Sequence, residues 1–479
     1  MNKIMVVNRG EIAVRVLTSI KNMGIRSVAV FSEADRKAPF VKIADESVCI
    51  GPALSSESYL NIDNIIHHAK RLNCDGIHPG YGFLSENAEF AKAVEIAGIT
   101  FIGPKPHAIE VMGNKLAAKA AVSNDEIPMV PGTEEPIKDI NRATEIAEDI
   151  GFPILIKAAA GGGGKGMRIV RESKNLKAQM ERAISEAQNA FGNGAVFIEK
   201  FIDSPRHIEI QILADTYGKI IHLNERECSI QRRHQKVIEE APSLKIDEAT
   251  RKEMGETAIR VAKACNYVGA GTVEFLTDKE NNFYFLEMNT RLQVEHPVTE
   301  LITGVDLVEE QIRIARGEHL RWNQNDISIQ GHSIELRVYA ENPYDNFLPS
   351  IGTLLKYKPP QIEGVRVDDG MQEGLEIPIY YDPMISKLIV HEQTREKAIS
   401  KMKTAIQNYQ IEGVETTLSF GLFVMKHQEF ISGEYDTQFV DQYFTPEAMK
   451  GFTEKEERVA ALMALHLSRK NYKTISESD

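Results

Sequence analysis

No apolar run among the 479 residues reaches the roughly 18–20 needed to cross a bilayer, so a membrane-spanning helix is not expected. Cysteine is as sparse. Cys49, Cys74, Cys228 and Cys265 are scattered, form no CxxC pair and match no zinc-like spacing, which predicts four free thiols in a reducing cytoplasm. The opening stretch, Met1 to Arg9, lacks the basic, apolar and small-residue zones of a signal peptide. Positive charge is in the minority, with 56 Lys and Arg against 69 Asp and Glu and a formal net charge of −13. Such a chain must overcome its own field to approach polyanions. That argues against a broad nucleic-acid surface but leaves room for a small, focused anion site. The turn after the first apolar run has no GxGxxG, which removes the main support for a dinucleotide site. Internal repeats, low-complexity tracts and long linkers are missing too.

What remains is an ordinary soluble composition, 42% hydrophobic and 26% charged, with enough length for several packed domains. The first third alternates strand and helix signals. Ile4 to Val7 is a short apolar run, Glu11 to Met23 has helical periodicity, and Gly24 is placed to stop it. Ser27 to Phe31, Gly76 to Ile77 and Ile99 to Gly103 continue the rhythm, which predicts a mostly parallel, doubly wound sheet. Farther on, Ile154 to Ala158 and Met167 to Val170 read as strands around a glycine loop, with another strand at Val196 to Phe201. Two hairpins follow, one turning at Asp215-Thr216-Tyr217-Gly218 and one around Asn281-Asn282. After about Gln330, strand-like and turn-rich segments dominate, then a helix from Arg395 to about Gln407. Thr453 to Lys470 reads as a capped, amphipathic tail helix.

Three segments point to chemistry. In Lys157-Ala158-Ala159-Ala160-Gly161-Gly162-Gly163-Gly164-Lys165-Gly166-Met167, four successive glycines offer backbone N–H groups that can close over phosphate oxygens, bracketed by two lysines. Lys165 is followed by Gly166 rather than Ser or Thr, so this is not a Walker A loop, and a mobile surface loop is the competing reading. Glu274 and Glu287 sit on the arms of the second hairpin. With a four-residue loop, Lys279 to Asn282, they face one another, and hard oxygen donors so placed suit Mg²⁺ beside a phosphate. A one-residue slip would put them on opposite faces. Glu287, Asn289, Arg291, Gln293 and Glu295 then alternate with apolar neighbours, which in extended chain would line one side of a ligand site or of a solvated strand. Third, Arg232, Arg233, His234 and Lys236 concentrate positive charge within an acidic chain and suit a small anionic substrate, or a salt-bridged loop. His207-Ile208-Glu209 has an H-x-E core without the PCxxC of zinc deaminases, the pair His67-His68 reads as helix surface, and Ala448-Met449-Lys450-Gly451 mimics a biotin-attachment sequence without the flanking hairpin strands.

Taken together the segments resemble biotin carboxylase, a member of the ATP-grasp superfamily. The resemblance runs through Asn8-Arg9-Gly10-Glu11, His78 to Asn87, Met112-Gly113-Asn114-Lys115, the glycine loop, Arg226 to Pro242, Glu287 to Pro297, and Tyr380-Tyr381-Asp382-Pro383-Met384, and covers about residues 1–445. It implies an α/β and α+β chain: a Rossmann-like N-terminal domain over 1–112, an ATP-grasp domain over 113–329 with a mobile lid at about 131–202, a β-rich C-terminal domain over 330–445, and a helical tail over 446–479.

The resemblance also implies residue roles. Lys115, Lys157, His207 and Gln231 would contact ATP, with Gly162, Gly163, Gly164, His234 and Leu276 beside it. Glu199 and Lys200, with the backbone at Phe201 and Ile202, would hold adenine. Glu274, Glu287 and Asn289 would hold Mg²⁺, with Mn²⁺ as its substitute. Lys236, Arg291, Gln293 and the backbone of Val294 would bind bicarbonate, Glu295 would be the general base, and Arg337 would stabilise the ureido oxygen of biotin. Ala159-Ala160, Lys165 and Phe201 depart from the residues usual in the family, and none of these removes a proposed catalytic group.

The implied activity is ATP- and bicarbonate-dependent carboxylation of biotin on a separate carrier protein, through carboxyphosphate. A carboxyltransferase partner would choose the final acceptor, with acetyl-CoA placed first, as in fatty acid biosynthesis, and propionyl-CoA or pyruvate as alternatives. A cytoplasmic homodimer is implied. The rival readings are another ATP-grasp carboxylate–amine ligase and a catalytically inactive nucleotide-binding subunit.

Overall fold

The computed structural model describes residues 1–122, 126–133, 135, 137, 139–158, 168–191, 194–233, 235–445, 448, 458–459 and 461–462. The glycines at 161–164, His234, most of the predicted helix at 453–470 and most of the 448–451 tetrapeptide lie outside the described residues.

Five short strands open the chain: β1 (Lys3–Val6), β2 (Arg26–Phe31), β3 (Glu46–Cys49), β4 (Gly76–His78) and β5 (Thr100–Phe101). They form one sheet in the order β3-β2-β1-β4-β5, and every pairing is parallel, as the βαβ rhythm predicts. β1 is buried along its whole length, as expected for a strand covered on both faces. β3 was not legible in the sequence. It is an edge strand whose residues are exposed or half-buried, so it carries no apolar run to betray it. The helix Gly10–Asn22 follows β1 and ends before Gly24, whose φ of +68° is a left-handed conformation that glycine adopts without strain.

A second unit has a core of its own. β6 (Ile154–Ala158), β7 (Arg168–Val170) and β8 (Val196–Lys200) make an antiparallel sheet ordered β7-β6-β8. Ile154, Ile156, Val170, Val196 and Ile198 pack there with Ala143, Ala147, Leu176, Met180 and Ala183 from two flanking helices.

The largest sheet has eight strands in the order β13-β12-β9-β10-β11-β14-β19-β18. It takes in β9 (Arg206–Ala214), β10 (Ile220–Arg232), β11 (Gln235–Ala241), β12 (Gly269–Thr277), β13 (Phe283–Asn289), β14 (His332–Tyr339), β18 (Val365–Asp369) and β19 (Met384–Glu392). Two ribbons, β15 (Glu341–Asn342) with β16 (Leu348–Pro349) and β17 (Lys356–Lys358) with β20 (Gln410–Glu412), flank it. The strands after Gln330 therefore extend the sheet begun at Arg206, through the β11–β14 pairing of Ile238 with Leu336 and Glu239 with Glu335. This part of the chain also carries the expected helix, Arg395–Asn408, and a further one, Leu418–Lys426.

Alternation along β9 decides what the sheet presents. Ile208, Ile210 and Ile212 face a core completed by Met254, Ala258, Val261 and Ala262 of the helix Glu248–Ala264. That helix starts on Asp247, whose side chain accepts from the Thr250 N–H at 2.8 Å. Each buried isoleucine contributes on the order of 1.5–3 kcal/mol. The intervening His207, Glu209 and Gln211 must then share the opposite face, and they are buried as well. This buried polar face is where chemistry can be sited.

The N-terminal helix and the C-terminal strands meet closely at Gly370. A Cβ there would lie 2.3 Å from the Gly10 carbonyl carbon and 2.5 Å from the Glu11 nitrogen. Gly370→Ala is expected to cost about 1–3 kcal/mol, because both neighbours are backbone and cannot swing aside. Gly113→Ala, at a helical glycine with nothing within 4 Å of the added atom, should leave stability level or slightly raised. Thermal unfolding midpoints of the two variants check the contrast.

Candidate active site

Four strands aim polar side chains at one place. Across the β9–β12 pairing, Glu274 sits opposite Glu209, Thr272 opposite Gln211, and Leu276 opposite His207. Across β9–β10, Arg226 faces Glu209, and across β10–β11, Gln231 faces Lys236. The Lys236 ammonium is the meeting point. It donates to Glu209 Oε2, to Glu274 Oε1 at 2.9 Å and to Glu295 Oε1 at 2.8 Å. Arg226, fully buried, donates to Glu209 and to Gln211, Thr272 and Thr299. Arg337 donates to Glu239 Oε1 at 2.6 Å and to Glu295 Oε2 at 2.9 Å. Glu295 is thus held on one oxygen by Lys236 and on the other by Arg337.

A second ring of contacts fixes Glu274. Its Oε2 meets His207 Nε2 at 2.7 Å, and the Gln231 amide reaches His207 Nδ1 at 2.9 Å. Its Oε1 also accepts from Asn289 at 2.8 Å and Gln293 at 3.2 Å. Arg291 ties these amides together, donating to Gln293 at 2.9 Å, to Asn289 at 3.1 Å and to Glu86 at 2.7 Å.

Burial on its own would neutralise this cluster, and the cations prevent it. Burial pulls the Lys236 ammonium down, but Glu209, Glu274 and Glu295 outweigh it and hold its pKa well above the usual value. Burial works to raise Glu274 and Glu295 too. Lys236, with His207 for the first and Arg337 for the second, keeps both far below the usual carboxylate range. Where cations run out, burial wins. Glu239 is pushed up to about 7 against the pull of Arg337, and burial holds its register partner Glu335 well above the usual carboxylate range although Lys387 opposes the shift.

A cavity of about 1120 Å³ opens over this face. His207, Gln231, Lys236, Glu274, Leu276 and Glu287 line it. Asn289, Arg291, Gln293, Val294 and Arg337 complete the set of predicted residues that meet there. Glu295 lies just beneath, fully buried and reached through Lys236 and Arg337. Lys157, Glu199, Lys200, Phe201 and Ile202 do not line the cavity. They belong to the separate small sheet and the strand end after it, where Lys157 pairs with Glu199 and Lys200 donates to the Gly151 and Phe152 carbonyls at 2.9 and 3.1 Å. Gly162, Gly163, Gly164 and His234, with the side chain of Lys115, lie outside the described residues.

Two expectations needed correction. Glu274 and Glu287 do face one another, but not through a four-residue loop. Thr277 pairs with Phe283 across a five-residue turn, which alone would offset the two carboxylates. A bulge between Glu274 and Phe275 leaves Leu286 without a partner and restores the pairing. The extended run from Glu287 to Glu295 ends at Asn289, so the five polar groups do not share a strand face. Glu295 instead stands in a turn as the residue before the helix His296–Thr303.

Sequence reasoning missed Glu209, Arg226 and Glu239, which carry the ionic framework, along with Glu11, Tyr81, Gly82, Glu86 and Tyr381 of the cavity wall. Glu209 was legible in principle, as a charged residue alternating with three isoleucines.

As a metal site, the donor set fits a hard divalent cation. Glu274, Glu287 and Asn289 supply oxygen atoms, and all three line the cavity. His207, Glu209 and Glu274 also cluster within 4.8 Å, but both oxygens of Glu209 are already engaged by Arg226 and Lys236.

Comparison with known proteins gives concordant matches. Residues 1–109 match the biotin carboxylase N-terminal domain, residues 114–323 the carbamoyl-phosphate synthase L chain ATP-binding domain, and residues 335–442 the biotin carboxylase C-terminal domain. Biotin carboxylase 1 of Bacillus subtilis is 50% identical over 442 residues, covering 92% of this chain and 98% of that protein. The mitochondrial propionyl-CoA carboxylase alpha chain of Sus scrofa is 51% identical over 97% of this chain, which spans only 64% of that relative's length. The biotin carboxylase domain dimer of the Hydrogenobacter thermophilus 2-oxoglutarate carboxylase, solved with MgADP, ADP and bicarbonate, superposes with a TM-score of 0.83. It is 47% identical and covers 92% of this chain and 97% of that one.

Lys236→Met removes the charge that three buried carboxylates share. It is expected to destabilise the fold by about 3–5 kcal/mol, and adding Glu209→Gln should recover part of the loss by removing one of the repelling charges. Denaturant midpoints test this; a Lys236→Met protein as stable as the parent would contradict the ionic framework.

Proposed function

The chain belongs to the biotin carboxylase family, and from that premise we propose that it carboxylates biotin on a separate carrier protein, using ATP and bicarbonate and releasing ADP and phosphate. The observation that carries the reading is the grip of Lys236 and Arg337 on opposite oxygens of Glu295, directly under a cavity edged by the facing carboxylates Glu274 and Glu287.

In this proposal Glu274 and Glu287, helped by Asn289, would hold Mg²⁺, whose charge would offset that of the triphosphate. His207, Gln231 and Leu276 flank the nucleotide from the sheet, and Lys115, Lys157, Gly162, Gly163, Gly164, Glu199, Lys200, Phe201, Ile202 and His234 are assigned to it as well. The division into domains over 1–112, 113–329, 330–445 and 446–479 belongs to the same reading.

Bicarbonate binds Lys236, Arg291, Gln293 and the Val294 backbone. Glu295 is ionised, the form that accepts a proton, but the cations that keep it so also lower its basicity. Transfer becomes favourable as the incoming anions draw Lys236 and Arg337 toward themselves. Glu295 then takes the bicarbonate proton, and the freed oxyanion displaces ADP from the γ-phosphate to give carboxyphosphate. Its C–O bond breaks to yield CO₂ and phosphate, phosphate removes the ureido N–H proton of biotin, and Arg337 stabilises the ureido oxygen while nitrogen attacks CO₂. Exclusion of water protects the labile intermediate.

Partners are a carrier protein and a carboxyltransferase. The latter chooses the final acceptor, with acetyl-CoA, propionyl-CoA and pyruvate as candidates, and two copies of this chain form a homodimer.

Phosphate release from MgATP that requires bicarbonate and rises with free biotin is the expected result. A requirement for an amine instead would favour a carboxylate–amine ligase, and binding without turnover an inactive subunit. Glu295→Gln should retain MgATP affinity while turnover falls about 10²–10⁴-fold, the range for loss of a general base. Parallel loss of binding would contradict that role.

A further inference from the structure

We infer that Lys387 is a positioning residue for Glu295: its buried ammonium holds the peptide that immediately precedes Glu295 and so sets where that side chain begins. The inference rests on the reading of Glu295 as the base.

Lys387 lies on β19 opposite Arg337 of β14 and is fully buried. Its ammonium donates to the Val294 carbonyl oxygen at 3.1 Å. That oxygen belongs to the peptide joining Val294 to Glu295, in a turn where no strand ladder holds the backbone. Glu295 precedes the helix His296–Thr303 and makes no side-chain cap bond to it, so its carboxylate is committed to Lys236 and Arg337. The base is therefore fixed at both ends: carboxylate by two cations, backbone by a third.

A buried ammonium costs several kcal/mol unless it is paired. Its pairing here is loose. Glu11 Oε2 lies 3.3 Å away and Asp368 Oδ2 3.6 Å away, and Asp368 is already clasped by Arg366 through two contacts of 2.7 Å. Glu11 and Asp368 are its nearest carboxylates, yet its shortest contact is the neutral carbonyl beside the base. Lys387 also joins segments remote in sequence: the start of the N-terminal helix, the edge strand β18 and the active-site turn.

The full-length chain is tested as Lys387→Met, Glu11→Gln, the double variant and Glu295→Gln, by bicarbonate-dependent phosphate release and thermal unfolding. Lys387→Met should lose about 10–100-fold in kcat, the scale of a displacement of the order of 1 Å, with KM for MgATP unchanged. Its unfolding midpoint should fall because Glu11 is left buried and unpaired. The double variant removes both charges, so it should regain the midpoint but stay about 10–100-fold below Glu11→Gln in kcat. Recovery of kcat together with stability would show that Lys387 only balances charge, and would overturn the inference. So would a double variant that still fails to fold. If Glu295→Gln itself keeps full turnover, the assignment of the base fails and the role of Lys387 with it. If Glu295→Gln is inactive and the double variant is fully active, the role of Lys387 alone fails.

Discussion

One ammonium group shared by three carboxylates organises this molecule. Lys236 on β11 reaches Glu209 on β9, Glu274 on β12 and Glu295 in the turn beyond β13, and each of those acids would repel the others without it. The exchange is mutual, since burial would strip Lys236 of its proton were the acids absent. Arg226 and Arg337 extend the arrangement in two directions, one bracing Glu209 from within the sheet and the other tying Glu295 to Glu239. Charge spent on mutual restraint in a low-dielectric setting is charge already oriented when an anionic substrate arrives, which is the basis of electrostatic preorganisation.

The sheet makes this possible because it does not stop where the nucleotide-binding segment stops. The pairing of β11 with β14 carries the same hydrogen-bonded surface into the C-terminal strands and brings Arg337 alongside Lys236. Arg337 and Lys387, opposite one another across β14 and β19, then serve the two ends of Glu295. A hinge between those regions would let the base drift relative to its cations, and one continuous sheet prevents that. The small β7-β6-β8 sheet is built differently, with its own apolar core and its own Lys157–Glu199 pair. A unit of that kind can move without disturbing the charged face, which suits a lid.

Much of this was legible in the chain itself. The parallel opening sheet followed from apolar runs alternating with helical periodicity, because strands covered on both faces must be apolar throughout. The two hairpins followed from their turn residues, and Asp215 and Asp278 do cap those turns through their side chains. Of the cavity wall, the residues from His207 to Arg337 that the family motifs carry were named in advance. The struts beneath it, Glu209, Arg226 and Glu239, were not: alternation with isoleucines puts Glu209 on the face away from the core, but nothing local tells a buried ionic strut there from a solvated charge.

The sequence by itself determined the elements, their order and the residue types from which a nucleotide and bicarbonate site could be made, because periodicity and turn chemistry act over a few residues at a time. Tertiary structure alone decided register and charge state. The bulge at Leu286 that sets Glu274 against Glu287, the turn that drops Glu295 beneath the cavity, and the convergence of Lys236, Arg337 and Lys387 upon it all depend on strands far apart in the chain. A carboxylate's pKa and partner are properties of the space around it, and that space exists only once the sheet has closed.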